Sequence, residues 1–162
     1  RQKGGLTHLR VVGESVVAKT YTEAEGLAQD TVYSVHRGRD GSVWAGTVSG
    51  GVSRLEPKSG QWKTYRRADG LGSDDVRAIQ QDAAGALWFG TNGGGVSRLD
   101  PKTGLWKTYR RADGLGSDEV RAIQQDDAGA LEVHGLILPA VREVWGVCGD
   151  VVWAVVMPSV PA

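Results

Sequence analysis

Hydrophobic residues along this chain fall in short runs, each bounded by Gly, Asp, Asn or Pro. Between Gly72 and Gly116 the runs are Asp75–Gln81, Ala86–Thr91, Val96–Asp100 and Leu105–Arg110, and the breaks are Asp82–Gly85, Asn92–Gly95, Pro101–Gly104 and Ala112–Ser117. Runs of this length, rich in β-branched and aromatic residues and punctuated by turn formers, predict β-strands joined by tight turns. Glycine supplies positive φ in such turns, and Pro101 fixes φ where no ladder donor is needed. Within the runs, apolar and polar residues do not alternate cleanly. A strand covered on both faces reads this way, because neither face tolerates an unpaired charge.

The pattern recurs as well as alternates. Trp62–Asp82 and Trp106–Asp126, offset by 44 residues, differ only in Asp75 against Glu119. The same offset relates Gly41–Thr47 to Gly85–Thr91, and the segment from Gly50 to that from Gly94. Upstream, Gly4–Arg10 and Lys19–Leu27 resemble parts of the unit with a two-residue length difference. A catalytic site needs different residues in different roles, whereas stacked copies need the same residues in one role. Four strands in ~40 to 45 residues make one blade of a β-propeller.

The fold expected is therefore all-β: an incomplete β-propeller of stacked four-stranded antiparallel blades of about 44 residues, with an atypical C-terminal tail. The end of a preceding blade and its connector occupy 1–29, blades occupy 30–72 and 73–116, a further blade starts over 117–131, and 132–162 is a divergent tail. In that tail Glu132, Val133 and His134 stand where Trp-Phe-Gly should follow, and the strand-like runs are Leu136–Leu138, Val141–Val147 and Val151–Met157. A frame change or truncation in the gene, a domain junction, or strands covering a blade edge would each account for it. Trp44 and Trp88 share one repeat position and Trp62 and Trp106 another, which suits wedges between blades. A closed propeller needs ~4 to 8 blades, so these copies should leave blade faces bare and self-associate through them.

Composition narrows the function classes. Nineteen basic residues balance nineteen acidic ones, which argues against general attraction to nucleic acid or an anionic membrane. Cys148 is the single cysteine, so no intrachain disulfide forms. His8, His36 and His134 are isolated and Cys148 has no partner motif, so no metal-ligand spacing is visible, and Thr91–Gly95 lacks the Lys-Ser/Thr of a phosphate loop. No catalytic residue, metal or cofactor is assigned on these grounds. Arg142, Glu143 and Asp150 interrupt the apolar C-terminal stretch before it reaches membrane-helix length, and no leader-like apolar core follows Arg1.

Propeller ligands usually meet the face carrying the blade-to-blade connectors and the turns between second and third strands, or the channel mouth. On that face the polar candidates for ligand binding are Asp74, Asp75 and Arg77, their copies Asp118, Glu119 and Arg121, and Asn92. The first copy departs from them with Asp30, Thr31 and Tyr33, and identical copies alone cannot build an asymmetric pocket, so Tyr33 joins the candidates. His36, Arg37 and Arg39, in place of Gln80, Gln81 and Ala83, depart likewise. The paired arginines of each Arg-Arg-Ala-Asp-Gly, at Arg66 and Arg110, read either as solvated charges or as forks for acidic sugars.

Val76, Ile79, Asp82, Gly85, Leu87, Trp88, Gly90, Thr91, Gly94, Val96, Arg98 and Leu99 form a pattern that resembles the two-component regulator propeller repeat. Val32, Val35, Gly41, Val43, Trp44, Gly46, Thr47, Gly51 and Leu55 repeat it. The resemblance implies a fragment of the periplasmic or extracytoplasmic ligand-sensing propeller of a bacterial sensor kinase, responding to an oligosaccharide or other small ligand. The function expected is a non-enzymatic sensing or interaction scaffold. The alternatives are a propeller enzyme, either a lyase or a glycoside-processing one, and a truncated gene piece without function.

Overall fold

The computed structural model of the chain describes residues 4–126, 130–135, 141–148 and 151–158. A hairpin of β1 (Leu6–Val12) and β2 (Ser15–Tyr21) is followed by three antiparallel meanders of four strands. The first blade comprises β3 (Val32–Arg37), β4 (Val43–Thr47), β5 (Val52–Leu55) and β6 (Trp62–Tyr65). The second comprises β7 (Val76–Gln81), β8 (Leu87–Thr91), β9 (Val96–Leu99) and β10 (Trp106–Tyr109). In the third, β11 (Val120–Gln125) and β12 (Leu131–Gly135) pair in order with β13 (Val141–Cys148) and β14 (Val151–Pro158). The divergent tail thus supplies strands to a sheet that the repeat opens; the run Leu136–Leu138 lies outside the described residues.

Burial on both faces of each blade explains the missing alternation. On β8, Leu87 and Phe89 join a core with Trp44 and Val52 of the first blade, while Trp88 joins a second core with Val120, Ile123, Leu131 and Val133 of the third. Each strand therefore carries apolar residues toward both neighbours, and the sheets stack face to face like cards. The first core is ringed by aromatics. Trp44 packs on Tyr65 and Phe89, and Trp106 on the same two, with centroids 5.5 to 5.7 Å apart, so the four rings close a cycle.

All four tryptophans meet the neighbouring sheet, Trp62 against Tyr21 and Trp106 against Tyr65 of the preceding one, but at different depths. Trp44 and Trp88 are buried, and their indole N–H groups donate to Ser42 Oγ at 3.0 Å and Asp82 Oδ2 at 2.8 Å. Trp62 and Trp106 sit nearer the rim, partly buried, because their strand is the outermost of its blade. There Trp106 lies beneath the connector at Gly70.

Close stacking also explains the glycine of Trp-Phe-Gly-Thr. A Cβ on Gly90 would come within 2.7 Å of Val120 on the next blade's first strand, so only hydrogen fits there. The connectors are stitched to both blades they join: Gly51 N–H donates to the Asp74 carbonyl and Gly72 N–H to Ser97 Oγ, each at 2.8 Å. Ser97 is fully buried and also bonds Thr108 across its own blade at 2.9 Å.

Candidate functional site

Each first strand carries a bulge. Val76 pairs with Thr91 and Ala78 with Gly90, so Arg77 is an extra residue that opposes nothing on β8. The same irregularity falls at Tyr33 in β3 and at Arg121 in β11. A bulge shifts the side-chain period by one residue and re-aims the residue it inserts. This is why Val76 and Ile79, three apart, enter the same core, and why residues 33, 77 and 121 form a row of their own.

Around that row the structure assembles four of the sequence-predicted residues. Asp75 grips Arg77 with two parallel hydrogen bonds, Nε to Oδ1 at 2.6 Å and Nη2 to Oδ2 at 2.8 Å. Asn92, in the turn between the second and third strands, donates its amide to Asp75 Oδ2 at 3.0 Å and its backbone N–H to the Asp75 carbonyl at 2.9 Å. The Arg77 guanidinium lies over the Tyr33 ring of the preceding blade, 4.1 Å from its centroid. In the next copy Arg121 pairs with Glu119 instead, at 3.1 and 2.8 Å to the same carboxylate oxygen. The aspartate that closes a fork on Arg77 becomes, one methylene longer, a single-oxygen grip on Arg121.

Burial pushes the Asp75 carboxyl up, but hydrogen bonds from Arg77 and Asn92 and the charge of Arg77 outweigh it and hold it below the usual carboxylate range. Hydrogen bonding to Asp75 raises Arg77 in turn, with the negative charges of its surroundings, Glu119 among them, adding to it. The cluster is therefore a fixed ion pair at neutral pH, suited to recognition more than to proton transfer.

Asp74 and Asp118 do not belong to this cluster. Their carboxylates accept the backbone N–H of Arg67 and Arg111, each at 2.8 Å, bracing the 3-10 turns Arg67–Asp69 and Arg111–Asp113. Asp30 does the same for Glu23, at 2.8 Å, in the first connector. Asp69 and Asp113 likewise accept the N–H of Arg66 and Arg110. Short aspartates in these loops satisfy backbone donors that the turn leaves open. The spacing of Asp74 four residues after Gly70, itself in the left-handed conformation, is the signal that could have assigned this role.

Arg39 departs from the repeat in a different place: its N–H donates to Gln81 Oε1 and its Nη1 to the Ala83 carbonyl, both at 3.0 Å, tying the first blade to the second. The Nε2 of His36 is buried with no hydrogen-bond partner. Burial, and secondarily the charge of Arg39, hold its pKa below the ordinary 6.5. The folded protein therefore keeps His36 neutral while the unfolded chain protonates first, so stability should fall as pH drops below about 6.5. Asp40 and Asp75, both held below 3.8, stay ionised through that window. Urea midpoints measured between pH 7.5 and 5.5 should fall for the parent and change less for His36→Gln.

Among the described residues no group of three His, Cys, Asp or Glu side chains could hold a metal ion. No helix among them is long and apolar enough to cross a membrane.

The family model described as two component regulator propeller matches residues 70–93, from the connector through β7 and β8 to the turn that holds Asn92. The 44-residue unit that contains this match recurs in the preceding blade and opens the following one. No curated protein matches the chain. Among solved structures, the extracellular domain of a candidate hybrid two component system from B. thetaiotaomicron is similar over 76% of this chain, with a TM-score of 0.63 and 21% identity. Another extracellular domain from that bacterium, described as belonging to a candidate one component system, is similar over 88% of this chain, with a TM-score of 0.71 and 20% identity. The chain covers 17% of the first of these domains and 21% of the second, so it corresponds to about a fifth of either. At such identities the likeness establishes the fold: stacked propeller blades.

Proposed function

We propose that this chain is a non-enzymatic recognition scaffold, part of the sensing propeller of a bacterial two component system, and that it meets an acidic small ligand or oligosaccharide at the inner-strand bulges. The observation that carries the reading is the arrangement of Tyr33, Asp75, Arg77 and Asn92, contributed by two blades at one end of the first strands. Asp75 occupies the Nε edge of Arg77, which orients the fork; a ligand carboxylate would take the remaining Nη donors. Tyr33 is 52% exposed and offers ring surface on which the C–H face of a sugar can pack. The extracellular domains among the similar solved structures, one from a candidate hybrid two component system and one from a candidate one component system, support an extracytoplasmic sensing role. An enzyme would need an acid and a base poised near neutrality around one substrate atom, and Asp75, held ionised by its arginine, fits neither role.

Replacing Arg77 and Arg121 together by alanine should weaken binding of a uronate oligosaccharide by roughly tenfold to a hundredfold, the loss of one or two charge-assisted contacts. Calorimetry with polygalacturonate fragments measures this. Unchanged affinity in the double variant would remove the arginines from the site.

A further inference from the structure

The ends of the strands opposite the bulges carry a separate cleft of about 400 Å³, a volume typical of small-ligand sites. It lies between the first and second blades, among the turns that join first to second strands and third to fourth. One wall is a row across the first blade. Trp44 pairs with Arg54 and Arg54 with Lys63, so the three side chains share a face, and Tyr65 stacks on Trp44 with centroids 5.7 Å apart. The second blade supplies the other wall, from Gly85 and the turn that begins at Pro101.

The row is repeated but the mouth of the cleft is not. Trp44, Arg54, Lys63 and Tyr65 recur as Trp88, Arg98, Lys107 and Tyr109, whereas Arg39, Asp40 and Ser42 stand where the next copy has Ala83, Ala84 and Ala86. All three departures line this cleft. Asp40 and Glu56 accept from the two sides of Arg54, at 2.8 and 2.7 Å, while its guanidinium lies over the Trp44 indole. Both carboxylates are thereby committed to Arg54. Arg39, Lys63 and Lys102, exposed around the mouth, form no ion pair with a carboxylate among the described residues. The Ala83 carbonyl anchors Arg39 through Nη1 at 3.0 Å, and Lys63 rests over the Tyr65 ring at 4.9 Å. Three cations thus gather at one cleft in a chain whose charges balance overall.

We infer that this cleft is a second binding site, one that takes a small organic phosphate: Arg39, Lys63 and Lys102 meet the phosphate oxygens, and the organic body lies against Tyr65 and Pro101. Cations brought by three different segments, two of them lysine point charges, match a tetrahedral dianion that presents oxygens in several directions. A carboxylate is planar and is best met by one arginine fork, which is the arrangement at Arg77 instead. The tethered Nη1 fixes Arg39 before the ligand arrives, so less rotamer freedom is lost on binding. Alanine at position 83 removes that cation from the next interface, which makes the site single although its inner wall is repeated.

The test titrates the full chain with phenyl phosphate and with inorganic phosphate, reading calorimetry together with amide chemical shifts. Phenyl phosphate should bind one-to-one and more tightly than inorganic phosphate, with shifts at Gly85 and Gly104. Lys63→Met and Lys102→Met should each weaken it about tenfold, the loss of one charge-assisted contact, and the triple variant with Arg39→Met should show no saturable binding. Melting temperatures should barely move, because all three side chains are exposed. The proposal is overturned by a parent chain that shows no saturable binding, by a triple variant that binds like the parent, by shifts confined to the Arg77 and Asn92 end, or by inorganic phosphate binding as tightly as phenyl phosphate. The variant lacking Arg77 and Arg121 should bind phenyl phosphate as the parent does, so this site and the bulge cluster stand or fall separately.

Discussion

Replacing Trp88 by alanine will lower the unfolding free energy by about 3 to 5 kcal/mol, the cost of emptying a large side chain's place in a core. Trp88 is 2% exposed, stacks on Tyr109 with centroids 5.8 Å apart, and bridges the second and third blades in one cluster. Its N–H bond to Asp82 adds to the loss, because that carboxylate also caps the turn before β8 through Ala86 N–H at 2.9 Å. Chemical denaturation followed by circular dichroism gives the number. Leu105→Ala provides the contrast: at 70% exposure it should stay within about 0.5 kcal/mol of the parent. A Trp88→Ala loss no larger than that would mean the second and third blades do not share a core.

Gly95→Ala should cost about 3 kcal/mol or more, and Gly104→Ala far less. The two glycines have nearly the same backbone, φ +74° and +72°. An alanine at either position bears the left-handed penalty of roughly 1 to 2 kcal/mol. At Gly95 its Cβ would also fall 2.1 Å from the Tyr109 carbonyl oxygen, a backbone atom held in the β9–β10 ladder, whereas at Gly104 nothing lies within 4 Å. Relieving that overlap requires the outer strand to move, which adds roughly 1 to 3 kcal/mol. The difference in midpoint between the two variants isolates the clash from the conformational penalty; equal midpoints would show that the third and fourth strands pack more loosely than this.

Both effects were partly legible in the chain. The offset of 44 residues placed Trp44 and Trp88 in one role, and the glycine-rich turns bounded the strands to within a residue or two. The strands Val76–Gln81, Leu87–Thr91, Val96–Leu99 and Trp106–Tyr109 lie inside the runs that the hydrophobic pattern marks out, because turn chemistry is local and needs no partner to act. The candidate site was legible in part. Asp75, Arg77, Asn92 and Tyr33 come together, while Asp74 and Asp118 serve their own connectors. Adjacent aspartates look alike in a sequence, and only the path of the turn separates the one that caps a backbone donor from the one that grips an arginine.

By itself the sequence determined the unit: its length, its four strands, its turns, and the demand that both faces of each sheet be covered, all of which follow from spacing and residue type. The tertiary structure alone decided which tryptophans are enclosed and which sit at the rim, since burial depends on a strand's place in the sheet and not on its composition. It also decided the inserted residue at positions 33, 77 and 121, because a bulge exists only relative to the strand alongside. One residue unopposed in that pairing turns Arg77 away from the apolar cores and onto Tyr33 of the preceding blade, and no reading of a single strand contains that fact.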